Sequence, residues 1–147
     1  MTVIVWDGTT LAADKLAVNG GCAFRVTKIF RIDADRLAGI AGHLGRGMLV
    51  LDWLRRAGTA AEYPGSVKDD DWCSVMVVHR SGVIHLYESV GAPFAVDGYR
   101  HAIGSGRDFA RAALWYGANA LEAVRVASEL SVDCGKGMNA LTFEEDK

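Results

Sequence analysis

The chain has 147 residues and a formal net charge of −2, enough length to bury a sizeable core within one domain. Half of the residues are hydrophobic and only two are proline, an ordinary globular composition, and the near-neutral balance gives no electrostatic footprint for nucleic acid or an acidic membrane. Charges or glycines interrupt every apolar run before it reaches membrane-spanning length, and the first residues do not read as a secretory signal.

In chain order, residues 3–6 are β-branched and aromatic, and Asp7-Gly8 is a strong two-residue hairpin signal, so residues 9–13 are predicted as the returning strand. Asn19-Gly20-Gly21 marks a second turn, and CAFRVTKIFRI predicts a strand with Lys28 near its middle. LAGIAGH reads as a small-residue strand leading into a helix over LGRGMLVLDWLRRAG. In that helix Leu44, Met48, Leu51 and Leu54 fall near one face, and Gly58 supplies a stop. Residues 59–71 are polar and read as a loop. WCSVMVVHR and GVIHLYES predict two strands joined at Ser81-Gly82, the first nearly continuous in its apolar residues, as a strand covered on both faces requires. YRHAIGSG adds a short strand. Two helices follow, with stripes of Phe109, Ala112, Ala113 and Tyr116 in the first and Ala123, Val126, Ala127 and Leu130 in the second. MNALTF is predicted as a closing strand and EEDK as a solvated tail. The class is α+β, with helices enough to cover both faces of the strands.

Cys22, Cys73 and Cys134 are odd in number and widely spaced, so neither a disulfide framework nor a paired-cysteine zinc site follows from them. Free thiols in a reducing cytoplasm are the simplest reading. His43, His79, His85 and His101 show no ligand spacing, and neither a metal nor a cofactor is expected.

The opening MTVIVWDGTTLAADK carries threonines at positions 2, 9 and 10. A hydroxyl is a poor nucleophile unless a base takes its proton, and a threonine at a free N-terminus carries that base in its own α-amine. An unperturbed α-amine has a pKa of roughly 7.7–8.0, which a nearby fixed positive charge lowers. Such a site needs a threonine exposed at position one, a buried lysine, and a carboxylate holding the lysine. Thr2 meets the first condition once Met1 is removed, a step that the small residue after Met1 makes easy to rationalise. With Met1 attached, the Thr2 nitrogen is an amide and cannot act as a base. Asp14 and Lys28 supply the other two types, and the first hairpin returns Asp14 towards Thr2.

The blocks TVIV…G…LAADK, RVTKIFRI, GIAGHLG, AIGSGRDFA and ASELSVDCG follow one another over most of the chain. In this the sequence resembles the proteasome β-subunits and the bacterial HslV peptidase, a family of N-terminal-nucleophile threonine peptidases. The resemblance implies one hydrolase domain over residues 1–147, folded as a four-layer αββα sandwich with a shortened helix layer after the first helix. It also implies a homo-oligomeric ring enclosing the sites, peptide or unfolded-protein substrates, and an ATPase partner that feeds them. In the family the AAD aspartate lies on the strand after the catalytic one. From Thr9 only four residues would intervene before Asp14 and no hairpin could form, so the resemblance selects Thr2.

Carried across, the resemblance makes Thr2 nucleophile and base, Lys28 the residue that tunes the amine, and Asp14 the holder of Lys28. The Gly42 N–H would stabilise the tetrahedral oxyanion, with Ser105 in GSG and Asp133 in SVDCG supporting the amine. Ile40 and Leu44 fall where the family lines its specificity pocket, which implies an apolar substrate side chain. The sequence departs from the family in three places. Residues 59–71 are too short and polar for a second long helix. CGKG follows Asp133 where proteasomal subunits carry a serine. His43 replaces a small residue beside Gly42, where it would narrow the cleft or add a donor to substrate.

Plainer readings stand beside these. Lys28 and Asp14 fit a surface ion pair, GSG a tight turn with Ser105 as helix N-cap, Gly42 close packing, and Asp133 a cap after the last long helix. Three functions follow: a cytoplasmic threonine peptidase, a non-catalytic scaffold or assembly protein that keeps Met1, and an amidase using the same chemistry on a small amide.

Overall fold

The computed structural model describes residues 1–65 and 69–144. It opens on a hairpin of β1 (Ile4–Trp6) and β2 (Thr10–Asp14), turned at Gly8 with φ +102°, a conformation open to glycine at little steric cost. The Asp7 carboxylate accepts the Thr9 and Thr10 amides at 2.9 and 2.8 Å, so the turn is fixed by its own side chain. β10 (His101–Ile103) and β11 (Met138–Thr142) flank the pair, giving a sheet of order β10-β1-β2-β11. The second sheet runs β5 (Ile29–Asp33), β6 (Arg36–Gly42), β7 (Cys73–His79), β8 (Ile84–Tyr87) and β9 (Phe94–Val96) in sequence order. Between the sheets in sequence, β3 (Leu16–Asn19) and β4 (Cys22–Arg25) form a separate hairpin, with β4 exposed throughout.

The two sheets face each other across a core to which Ile4, Trp6 and Leu11 contribute from the first and Leu37, Met76 and Leu86 from the second. Each side chain of this size stabilises by about 1.5–3 kcal/mol on full burial. Val3, Val5, Ala12 and Ala102, on the outer face of the first sheet, lie under α2 (Arg107–Trp115) and α3 (Ala120–Leu130). Ile40, Val75 and Val77, on the outer face of the second, lie under α1 (Leu44–Arg55). The result is the αββα sandwich that the resemblance implied. β7 is buried along nearly its whole length because both of its faces are covered, which accounts for its continuous apolar run.

The helix layer over the second sheet is short. Among the described residues, 59–71 contain two single turns of 3-10 helix, Ala60–Glu62 and Asp69–Asp71, in place of a second long helix. Tyr63 supplies part of the missing cover, edge-on to Trp53 with ring centroids 5.0 Å apart and stacked on Tyr87 at 6.3 Å. Residues 66–68 of the predicted loop and 145–147 of the predicted tail lie outside the described residues. Among the described residues no helix is long and apolar enough to cross a membrane.

Several local expectations are corrected. The predicted strand through Lys28 is two strands: the chain leaves β4 in one sheet and joins β5 in another, and residues 26–28 make the transit. Helix α1 buries Gly47, Val50, Leu51, Trp53 and Leu54, while Met48 is exposed; Gly47 sits where a Cβ would strike the Ile40 side chain. The stop comes one residue before Gly58, at Ala57 with φ +51°. The Ala57 and Gly58 amides close a Schellman motif onto Leu54 O at 3.3 Å and Trp53 O at 3.0 Å. In α2 the buried residues are Ala110 and Leu114, with Phe109 38% and Tyr116 90% exposed. In α3 they are Ala120, Ala123, Val124 and Ala127, with Leu130 exposed. Strand β9 has no counterpart in the sequence reading.

Candidate active site

Register decides the site. Ile4 pairs with Ala13 in β2 and with Ile103 in β10, so the residue two before β1, the last residue of β2 and the turn after β10 meet at one end of the sandwich. These are Thr2, Asp14 and the segment 104–106. Thr2 is buried, and its amide donates to Ser105 Oγ at 2.9 Å. Its carbonyl accepts the Gly106 amide at 3.0 Å and the Ser105 hydroxyl at 3.3 Å. Gly104, at φ +99°, lies so close that a Cβ there would collide with the Thr2 carbonyl oxygen. The three-residue turn therefore grips Thr2 from one side.

Asp14 holds it from the other. The Asp14 side chain is wholly buried, and Oδ1 accepts both the Val3 amide at 3.0 Å and Lys28 Nζ at 2.8 Å. Oδ2 accepts the Leu16 and Gly135 amides at 3.3 and 3.0 Å. Lys28 reaches this carboxylate because residues 26–28 cross between the sheets, which directs its side chain into the gap that the sandwich leaves at its end. Burial pushes the Lys28 ammonium below its ordinary pKa, against the opposing pull of the Asp14 hydrogen bond and charge. The second donor of Nζ goes to the Met1 carbonyl at 2.9 Å, and the Thr2 hydroxyl donates to the same oxygen at 2.6 Å. Lys28 thus touches the peptide group that contains the Thr2 nitrogen.

A cleft of about 210 Å³ opens over this array. Thr2 and Lys28 form its floor, Ile40, Gly42 and Leu44 one wall, and Leu16, Ala17 and Val18 of the β3 hairpin the other. Apolar walls around a few convergent polar groups are the usual form of a small-molecule or peptide subsite.

Comparison with solved structures finds HslV of Trypanosoma brucei at a TM-score of 0.71 and 20% identity, covering 98% of this chain and 99% of that one. It also finds the Thiobacillus denitrificans protein BPH at 0.70 and 20%, covering 99% and 100%. The fold is that of HslV. No protein-family model matches the sequence, and the curated proteins give no match. The HslV-like fold is therefore shared over the full length at 20% sequence identity, and the shorter α-layer leaves that overall match intact.

The remaining residues singled out in the sequence are placed less uniformly around this HslV-like frame. Ile40, Gly42 and Leu44 line the cleft. Gly42 has φ +88°, and a Cβ there would lie 2.9 Å from Cys73 Cα and collide with the Trp72 carbonyl, so close packing on β7 by itself accounts for the glycine. The His43 ring is occupied elsewhere: it caps α1, with Nδ1 accepting the Arg46 amide at 3.0 Å, and it is not among the cleft-lining residues. Ser105 does not cap α2, since Gly106 occupies the N-cap position and the Ser105 hydroxyl is directed to Thr2. Asp133 follows α3, its amide bonded to Ser131 Oγ at 3.2 Å; among the described residues its side chain makes no hydrogen bond to Thr2 or Lys28.

Backbone groups and small neighbours also build the site, and no motif in the sequence marks them. Gly135 of the divergent CGKG segment gives Asp14 an amide, and Cys134 is buried against Gly106, where a Cβ on the glycine would lie 2.6 Å from Sγ. Burial and the Asp14 carboxylate push the Cys134 thiol up. Trp72, half-exposed, packs its ring against Gly42 at the cleft margin. A run of small residues flanking candidate polar ones was the available signal; it marks close approach without naming the partner.

Proposed function

We propose that this chain is a threonine-type peptidase whose nucleophile, Thr2, is freed by removal of Met1. One observation carries the reading: a wholly buried carboxylate, Asp14, holds Lys28 against the peptide group that precedes Thr2. Cleavage of the Met1–Thr2 bond turns the Thr2 nitrogen into an amine beside Ser105 Oγ and releases the Lys28 donor engaged by Met1. The Lys28 charge then lowers the amine pKa and leaves its lone pair available near neutral pH. The amine takes the Oγ proton as Oγ attacks the substrate carbonyl, and returns it to the leaving nitrogen as the C–N bond breaks. Water, activated by the same amine, hydrolyses the acyl-Thr2 ester. The Gly42 N–H stabilises the oxyanion, and an apolar substrate side chain rests on Ile40 and Leu44. Copies of the chain assemble as a ring around an enclosed chamber, with an ATPase as the partner that delivers unfolded chains.

A second reading is a non-catalytic scaffold that keeps Met1, in which the Thr2 hydroxyl and a Lys28 donor stay engaged by the Met1 carbonyl. Intact-mass analysis after treatment with a threonine-directed covalent inhibitor separates the two. The expected result is loss of Met1 and one adduct at Thr2, absent from Thr2→Ala, together with hydrolysis of short fluorogenic peptides in preference to small amides. Retention of Met1 on nearly all chains, with no adduct, would overturn the peptidase reading. Unchanged hydrolysis by Lys28→Ala would remove the tuning role of Lys28.

A further inference from the structure

A second concavity, of about 240 Å³, lies away from Thr2, between α2 and the turn that leads from β9 into β10. Arg100, His101 and Arg111 line it, with Leu114 and Trp115 as apolar wall and Asp97 as a carboxylate on its margin. The ion-paired arginines among the described residues are Arg36, Arg46, Arg56, Arg80 and Arg107; Arg100 and Arg111 are not among them. One Arg100 nitrogen donates to Leu114 O at 2.6 Å and its guanidinium lies over the Tyr99 ring at 4.8 Å, so that side chain is held in place with further N–H groups unused. Arg111 is exposed, and its side chain makes no hydrogen bond among the described residues. Burial, and then the nearby Arg111 charge, push the His101 imidazole below its ordinary pKa. Trp115 stands 80% exposed at the rim, a flat apolar surface without an aromatic or hydrogen-bonding side-chain partner among the described residues.

The geometry points to a binding site for a small organic anion, its carboxylate or phosphate head on Arg111 and Arg100 and its flat apolar body against Trp115. The planar guanidinium fork matches either head group through paired, charge-assisted hydrogen bonds. The cavity is smaller than the roughly 300–1,000 Å³ of drug-sized sites, which limits the occupant to a single ring or a short chain. Nothing in this site depends on the chemistry at Thr2.

Intrinsic fluorescence of the full chain, titrated with phenylacetate, phenyl phosphate and the neutral phenylacetamide, tests the proposal, with Trp115→Phe identifying the share of the signal from that residue. At least one of the anions is expected to saturate the Trp115 signal, with the amide about tenfold weaker or more. Arg111→Ala is expected to weaken the anion about tenfold, the size of one lost charge-assisted contact, and to leave the amide unchanged. Arg111 has no partner to lose, so the variant keeps the fold, which its circular dichroism checks. Equal response to amide and anions, no saturation by either anion, or an Arg111→Ala affinity equal to wild type would each overturn the site. Which anion binds more tightly tells a carboxylate from a phosphate ligand.

Discussion

Replacing Gly104 with alanine should loosen Thr2 more than it strains the backbone, and a second glycine makes the two effects separable. Gly104 and Gly117 share nearly the same dihedral, φ +99° and +97°, so alanine meets the same left-handed penalty at both. That penalty is about 1–2 kcal/mol, reduced by the roughly 0.4–1 kcal/mol that alanine contributes by restricting the unfolded chain. Around Gly117 nothing lies within 4 Å of an added Cβ, whereas at Gly104 the Cβ would collide with the Thr2 carbonyl oxygen and lie 2.7 Å from its carbon. Forcing a methyl into packed backbone adds about 1–3 kcal/mol. Gly117→Ala is therefore expected to cost about 1 kcal/mol and Gly104→Ala about 2–4 kcal/mol, measured by urea unfolding followed by circular dichroism. Relief of the clash moves Thr2 away from the Ser105 hydroxyl and Gly106 amide that hold it. On the peptidase reading, hydrolysis by Gly104→Ala, corrected for folded fraction, should then fall by about a hundredfold, the usual effect of a displacement near 1 Å, while Gly117→Ala keeps wild-type turnover. Equal stability losses at the two positions would refute the claim that the 104–106 turn clamps Thr2.

Ala57→Gly should stabilise the chain by about 1 kcal/mol, because Ala57 holds the left-handed position of the α1 Schellman motif at φ +51°; a lower urea midpoint would count against it. Glu62 is held at about 2 by the Thr59 hydroxyl, then the Thr59 amide, then Arg56. A depressed carboxylate stabilises above its unfolded pKa and loses that contribution as pH falls through the folded one, so the Glu62 contribution should be complete above about 4.5 and vanish through about 2. An NMR titration placing the Glu62 midpoint near 4.5 would dismiss the Thr59 cap. Ala127→Leu should destabilise by about 1–3 kcal/mol, since Ala127 is fully buried and its Cβ already lies near Gly106; unchanged thermal stability would show that α3 can lift from the sheet freely.

What could be read from the sequence was local chemistry and order. Asp7-Gly8 dictates a turn whatever surrounds it, and that turn alone returns Asp14 to the level of Val3. The layers followed from the sequence of strands and helices. The position of Lys28 was legible but not its element, because a continuous β-rich stretch gives no sign that the chain changes sheets at residues 26–28. The helix stripes contain Phe109, Tyr116 and Leu130, which are large and apolar, but the faces that α2 and α3 bury run through Ala110 and Leu114 and through Ala120, Ala123, Val124 and Ala127. Where small residues line the buried face, apolar size alone points to the wrong side of the helix. The cap formed by His43 was hidden for another reason, since a histidine at a helix start competes with commoner caps such as serine or aspartate.

The alanine-lined seam between the first sheet and its two helices also limits how this molecule can be mapped. Truncation scanning replaces side chains by alanine, and Ala102, Ala110, Ala120, Ala123 and Ala127 are alanine already. A scan would pass over those five positions and sense the layer only through neighbours such as Val5, Leu114 and Val124. The contribution of the alanines can be measured only in the opposite direction, by enlarging one methyl at a time and finding where the helices are pushed off.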